Sequence, residues 1–489
     1  MEALQRLHNR GSVSTGFDID NSIKFETDNT EYLMAEGRPQ GTQTTWTWSC
    51  WLKRTEVDNG IVAQYIFSAG SDGKTGIYFR DDASYPDDRI FIYVDEGNSL
   101  KWIGQVNQSF RDTSAWYHIV FAVDSTDGTA ADRTKIYVNG VQQTITYNAT
   151  LNQNVSTRVG DGGGKFSIGG KVANTGYGFN GYMAECVLVD GSALTPTSFG
   201  EFDEDSNIWK PKDVSSLSLG TAGFYMNFDD SSNLGKVQTG TSQGNFDKYN
   251  ITAADQATDT PTNNFAIISP VTQTATQNTY STINEGGTKF RCTGADTWVT
   301  AVGSIGVTTG KWYAEFKITG ARPNNMFGIA SMEQLDTGHS HLGQSGGNWG
   351  IGFYQPNGNL YKVQNSGYSL ISGWGSSPSQ NQTIGIAVDM DNHNLYIAIN
   401  NTYQNSGDPT SGATGTGAIS FDATETVAIA TTGYSLGSGN DTIVEGNFGG
   451  FSATSTAFTN TDADGYGTFA YAPPSGYYAL CTKNLEEYG

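Results

Sequence analysis

The stretch TWTWSCWLKR, Thr45 to Arg54, decides how the rest of the chain is read. In an extended strand successive side chains point to opposite faces, so Trp46, Trp48, Cys50 and Leu52 share one face while Thr47, Ser49, Trp51 and Lys53 share the other. The first set is expected to be core. Outward from it, short runs of the same kind recur: YIFSAG, GIYFR, RIFIYVD, LKWIGQV, AWYHIVFAVD, KIYVNGV and GYMAECVLVD, separated by Gly, Asn and Asp. That spacing predicts an antiparallel sandwich of two sheets in the manner of a jelly roll. The last run lies in FNGYMAECVLVDGSALTPTSFGEF (179–202), which turns at Asp190-Gly191. Leu194-Thr195-Pro196 then predicts one helical turn before GFYMNFDD returns as a closing strand.

A chain of 489 residues suits two domains, each able to bury a full core. The first is expected over 17–230. Residues 231–271 are rich in Ser, Thr, Gly, Asn and Asp and read as an extended connector, with NNFAIISP as a short strand inside it. The β pattern resumes over 272–489 in KFRCTG, GKWYAEFKITG, NMFGIASM, NWGIGFYQPNGNLYKV, QTIGIAVDMDNHNLYIAIN, TVAIATTGY and IVEGNFG. An internal echo links the halves: FAVDSTDG…TKIYVNG and IAVDMDNHNLYIAIN both run strand, Asp, polar turn, then a strand with a central Tyr. Residues 1–16 form an N-terminal docking segment, where Leu4 and Leu7 at helical spacing and Gly11 as a stop predict a short amphipathic helix.

Composition excludes several functions. A net charge of −22 without a basic run argues against a nucleic-acid partner, which needs clustered Lys and Arg. No apolar stretch reaches the roughly eighteen residues of a membrane span, and MEALQRLHNRGS lacks the apolar core of a signal peptide, so cytoplasmic synthesis without membrane insertion is expected. Cys50, Cys186, Cys292 and Cys481 lie far apart without the spacing of a zinc site and read as buried thiols.

Glycoside hydrolysis needs two facing carboxylates, and no strand carries a Glu-x-Asp-x-x-Glu run. Glu201, Asp203, Glu204 and Asp205 cluster after a Gly and read as a solvated turn. The histidines show no HExxH pattern and no nucleophile elbow; His339 and His341, two apart, lack a third ligand. NTDADG sets Asn460, Asp462, Asp464 and Gly465 in calcium-loop positions, but Tyr471 stands where the bidentate carboxylate belongs, so an Asp-Gly turn is expected. No catalytic residue, metal or cofactor is expected. Binding surfaces remain, and aromatic side chains in Gly- and Asn-rich surroundings are their candidates: Trp349, Tyr354, Tyr361, Tyr368 and Trp374. Alternation puts Trp349, Ile351 and Phe353 on one face and Tyr354 on the other; Tyr368 and Trp374 are the ones expected to be exposed.

The set NSIKFETDNTEYL, TWTWSCWLKR, SAWYHIVFAVD, KIYVNGV, GYMAECVLVDGSALTP and WKPK…GFYMNFDD resembles the laminin-G/concanavalin-A-like domains of tailed-bacteriophage virion proteins. GKWYAEFKI, WGIGFYQPNGNLYKV, IGIAVDMDNHNLYIAINN and EGNFG resemble a SPRY domain, in which an Asp-turn-Tyr hairpin, here Asp389 to Tyr396, is a core element. FAYAPPSGYYALCTKNL resembles the tail of the same phage proteins, where a Pro-Pro turn precedes a final strand. The resemblance implies an all-β fold of two concanavalin-A-like jelly-roll β-sandwiches in tandem. It also implies a non-enzymatic virion structural protein, made in the host cytoplasm and released by lysis. The role expected is a tail fibre or similar appendage whose loops contact a host-surface glycan or protein. Its partners would be other virion proteins and further copies of itself, a homotrimer being common among fibres. The alternatives are a capsid decoration or head-fibre protein and, at a lower rank, a polysaccharide depolymerase.

Overall fold

The computed structural model describes residues 17–489 apart from 58–62, 71–72, 74, 83–84, 97–98, 173–176, 240–243, 273–278, 294, 335–339, 366, 423–424, 437–438, 440 and 452–457. The expected docking segment 1–16 and His339 lie outside the described residues. The chain forms two compact units that meet between Thr262 and Asn263.

In the first unit Thr45–Arg54 is a central strand, paired on one side with Tyr117–Asp124 and on the other with Gly181–Asp190. Its sheet continues through Thr134–Val138 and Val141–Gln142 at one end and Ser22–Phe25 and Gln256–Ala257 at the other, and Phe224–Met226 also pairs with Gly181–Asp190. A second antiparallel sheet runs Ile145–Tyr147, Ser99–Ser109, Tyr85–Glu96, Thr75–Asp82, Gln64–Ala69, Phe166–Ile168, Tyr32–Ala35, Asp247–Tyr249. Trp46, Trp48, Cys50 and Leu52 are fully buried between the sheets, as alternation predicted. The Trp48 ring stacks on Phe67 of the opposite sheet at 4.6 Å. Burial of each such large apolar side chain is worth about 1.5–3 kcal/mol.

The polar face of the same strand does not meet water. Lys53 is fully buried with its Nζ 2.7 Å from Asp259, whose other oxygen accepts from Trp116 Nε1 at 3.0 Å. Thr47 Oγ1 donates to Ser192 O and accepts from Leu194 N, which lays the segment after Asp190 across this face. The expected helical turn follows as Pro196–Ser198.

The connector reading of 231–271 needs correction. Asp247–Tyr249 adds an edge strand to Tyr32–Ala35, and Gln256–Ala257 another to Ser22–Phe25. Asp255 reaches Lys24 at 3.0 Å and Asp259 reaches Lys53, so this stretch is part of the first sandwich through Thr262. Beyond it, Phe265 bridges Cys481 and Ile268–Ser269 pairs with Ala295–Gly303 in the second unit. The first-unit anchors, Tyr249, Asp255 and Asp259, are isolated residues in a Ser/Thr background, whereas Ile268–Ser269 is the short strand expected in NNFAIISP.

The second unit is also a sandwich. Its seven-stranded sheet runs Ile268–Ser269, Ala295–Gly303, Val427–Leu436, Asn325–Ser331, Gly350–Tyr354, Asn359–Gln364, Gly367–Ile371. The opposing sheet follows Ser281–Asn284, Lys289–Cys292, Thr442–Asn447, Lys311–Ile318, Thr383–Asp389, Asn394–Ile399, Thr402–Tyr403, with Ile419–Ser420 and Tyr478–Ala479 as extra partners. Phe316 and Phe327 meet across the core at 5.9 Å. The hairpin expected around Asp389 is present. Buried Asp389 accepts from Asn392 N and Nδ2, both at 2.9 Å, and pairs with Lys311 at 3.1 Å. His393 takes the positive φ of 54° that closes the turn. After the Pro-Pro turn the expected strand is only Tyr478–Ala479, and the chain ends in a helix, Thr482–Tyr488, whose Tyr488 ring stacks on Tyr478 at 3.8 Å.

Candidate functional site

The five aromatic candidates separate. Trp349 and Trp374 are 3% and 9% exposed and belong to the core, against Phe421 and Phe353 respectively. For Trp349 alternation said as much; for Trp374, expected on the surface, the chain after Ile371 folds its ring back under the sheet edge. Tyr354 and Tyr361 lie on the outward face of the seven-stranded sheet, half-buried, with rings 5.9 Å apart. Tyr368 is 44% exposed on the edge strand Gly367–Ile371. It pairs with Val363, and Leu370 pairs with Tyr361, so both continue the same outward face.

Three further rings join this face. Trp298 pairs across strands with Tyr434, their rings 4.8 Å apart, and lies 5.9 Å from Tyr354. His341 packs edge-on between Trp298 at 5.0 Å and Tyr361 at 5.1 Å. Trp298, His341, Tyr354, Tyr361 and Tyr434 are all half-buried, a state that leaves ring surface available for stacking. Polar groups border them: Asp296 accepts from the Tyr434 hydroxyl and Asn324 from the Tyr354 hydroxyl at 3.4 Å. His341 Nδ1 lies 3.0 Å from Leu342 O, which can only accept, so Nδ1 carries the proton and Nε2 keeps its lone pair. Burial lowers the imidazole pKa, so His341 is neutral at neutral pH.

The loop that brings His341 here is seated by small residues. Leu342 packs against Val302, Ala330, Ala428 and Ala430, and its backbone N–H donates to Thr432 Oγ1 at 3.3 Å. Thr300 Oγ1 donates to Ser340 O at 3.0 Å. A Cβ on Gly352 would stand 2.7 Å from Leu342 Cβ, so glycine at that position admits the leucine. Trp298, His341 and Tyr434 were missed because they come from distant segments. The usable signal was register: in ADTWVTAVG the buried Val299 and Ala301 turn Trp298 outward.

Other candidates resolve as architecture. Ser49 Oγ and His118 Nε2 stand 2.9 Å apart, the spacing of a nucleophile and base, but Trp209 Nε1 donates to His118 Nδ1 at 3.0 Å. The ring proton is therefore on Nε2 and points at Ser49, which leaves no base to take the serine proton. Burial holds this imidazole neutral, down to about 3. Asp203 accepts from the Ser206 and Asp205 backbones and pairs with Lys210 at 3.1 Å, which keeps it at about 2 in a turn. Both oxygens of Asp462 are occupied, by Tyr466 N, Gly467 N, Ala479 N and Asn484 Nδ2, so it organises an Asp-Gly turn and the C-terminal segment. Among the described residues no three His, Cys, Asp or Glu side chains come together as a metal site would require.

Residues 27–198 match the model of the concanavalin A-like lectin/glucanases superfamily. Solved structures similar to the chain include the SPRY domain of human HERC1, at 16% identity over 34% of this chain and 91% of that one, TM-score 0.26. The heptameric SAP-like pentraxin of Limulus polyphemus is another, at 19% identity over 37% and 80%, TM-score 0.28. A third is domain 4 of the extracellular arabinanase AbnA from Geobacillus stearothermophilus, in complex with arabinotriose, at 17% identity over 34% and 69%, TM-score 0.23. No curated protein matches the chain.

Proposed function

We propose that this is a non-enzymatic glycan-binding protein whose contact surface is the aromatic face of the second unit. The observation that carries the proposal is the convergence of Trp298, His341, Tyr354, Tyr361 and Tyr434, half-exposed and bordered by Asp296 and Asn324, on one sheet face. Ring faces stack on the apolar faces of sugars while the border supplies hydrogen bonds, the mix of apolar surface and few placed polar groups that a binding site needs. The superfamily match over residues 27–198 supports the ligand class. The His118 tautomer and the engagement of Asp203 by Ser206 and Lys210 support a binding role without turnover.

The setting we propose is a virion appendage, tail fibre or similar, assembled from several copies and released by lysis. Its support is the sequence resemblance. A capsid-decoration role is the second reading, favoured by the exposed Tyr368, Leu370 and Ile371 of an edge strand suited to a protein neighbour. Retention of the purified protein on immobilised polysaccharides tests the first claim. Trp298→Ala and Tyr361→Ala should each weaken retention by about tenfold, the loss of one stacking contact; retention unchanged in both would refute the site. Mass spectrometry of purified particles tests the setting, and absence from particles counts against it. Release of reducing ends from the polysaccharide would overturn the non-enzymatic reading.

A further inference from the structure

The nine-stranded sheet of the second unit carries a cleft of about 270 Å³ on the face turned away from its core, lined by Glu315, Lys317, Thr383, Glu445, Phe458 and Tyr471 among others. Its floor is a cross-strand row: Lys289 pairs with Glu445, Glu445 with Lys317, and Lys317 with Thr383. The two carboxylates differ in their freedom. Glu315, 2% exposed, accepts from Ala470 N at 2.8 Å, from Tyr471 N at 2.9 Å and from the Tyr313 hydroxyl at 2.9 Å. It anchors the aromatic wall, and burial raises its carboxyl above the ordinary range. Glu445 is different: its Oε2 is buried and meets no hydrogen-bond donor among the described residues. Burial holds its carboxyl above the ordinary range, Lys289 and Lys317 offsetting part of that rise and Glu285 adding to it.

The charges narrow the ligand. A cationic group at Glu445 would meet Lys317 and Lys289, and an anionic one at Lys317 would meet Glu445. A neutral group that both donates and accepts satisfies the row. We propose that the cleft binds one ring of a neutral saccharide, one hydroxyl donating to Glu445 and its neighbour accepting from Lys317, with Phe458 and Tyr471 as apolar walls. The ligand class rests on the glycan reading above; the site does not, because it lies on the other sheet of the sandwich from the aromatic face.

The test is calorimetric titration of the full chain with glucose, galactose, mannose and N-acetylglucosamine, alongside galacturonate and glucosamine as charged controls. At least one neutral sugar should bind saturably, and Glu445→Gln and Lys317→Met, each checked for an unchanged melting profile, should weaken it by about tenfold or more. Lys236→Ala, at a partly exposed position of the first unit, should leave this binding unchanged. Failure of all neutral sugars to bind, tighter binding of either charged control, or full affinity in Glu445→Gln or in Lys317→Met overturns the proposal. Loss of polysaccharide retention in Trp298→Ala with monosaccharide affinity intact would support two separate sites. Full retention in both Trp298→Ala and Tyr361→Ala together with a Glu445→Gln defect would refute the aromatic face and leave the cleft standing.

Discussion

Replacing Asp259 by Ala removes the carboxylate 2.7 Å from the fully buried Lys53 ammonium and the acceptor 3.0 Å from Trp116 Nε1. Breaking a buried ion pair from one side costs about 3–5 kcal/mol, because the remaining charge loses its compensation while staying out of water. The orphaned indole N–H falls within that range. For a unit of this size, each kcal/mol lowers the melting temperature by about 2–4 °C, so a fall of roughly 6–20 °C is expected in the transition of the first unit. The loss should also depend on pH. Burial already lowers the Lys53 pKa. Without Asp259 the unfolded chain binds more protons than the folded one over the window from that lowered value to the ordinary lysine value, so stability rises with pH across it. The deficit should therefore shrink between pH 7 and pH 10. Differential scanning calorimetry of the full chain at both pH values measures this, with the exposed pair Lys236 and Asp230 as a control, whose Lys236→Ala variant should move stability by less than about 1 kcal/mol. The double variant Lys53→Met, Asp259→Leu should regain most of the loss, since a packed apolar pair replaces the ionic one. A shift below about 2 °C for Asp259→Ala, on the same scale, would refute the idea that the 256–262 stretch is locked onto the first sheet.

Burial raises Glu185 to about 7 while the Tyr225 hydroxyl donates to it at 2.7 Å. Its folded value exceeds its unfolded one, so the stability of the protonated form is full below the ordinary carboxylate range and is lost as pH rises through about 7. Glu185→Gln should flatten the pH 5–8 stability profile in urea unfolding by up to roughly 3 kcal/mol, leaving a residual slope from Glu31, which burial also lifts to about 7. His118 acts in the opposite sense: its folded value of about 3 lies below its unfolded one, so its contribution is present above the ordinary histidine range and lost as pH falls towards 3, and His118→Phe should reduce acid sensitivity in the same assay. Gly352→Val would drive Leu342 off its seat and carry His341 away from the aromatic face. Faster proteolytic cleavage within 340–348 and weaker polysaccharide retention are expected. Asp462→Ala leaves four N–H donors unsatisfied, and hydrogen exchange of Thr482–Tyr488 should accelerate at a stability cost of about 2–4 kcal/mol.

Local pattern carried much of the architecture. Period-two alternation in TWTWSCWLKR put the right four side chains in the core, and the tight Asp-rich link in IAVDMDNHNLYIAIN located a hairpin whose buried Asp389 is held by the turn itself. Trp374 was misplaced because a Gly- and Ser-rich surround describes the backbone around a ring and not the direction in which that ring folds. The aromatic face was half legible, since Tyr354 and Tyr361 share one hairpin, whereas Trp298 and Tyr434 become neighbours only through pairing of Ala295–Gly303 with Val427–Leu436.

Alternation tells which side chains share a face but not what that face meets. On Thr45–Arg54 the polar set is covered by the segment after Asp190 and by residues near Asp259, so Lys53, Thr47 and Ser49 are buried and must find partners. On the outward face of the seven-stranded sheet the same situation arises with small residues, and Leu342 fills the space they leave. A second layer of this kind is built from loops whose composition looks solvated, and each contact in it depends on one or two residues. The cost of an unsatisfied buried group is what fixes such layers in place: an uncompensated Lys53 or an empty seat at Gly352 is penalised far more than a surface contact of equal size. Outward faces with an unexpected buried charge or a run of Gly and Ala are therefore the places where a covering segment, and with it a binding surface, should be sought.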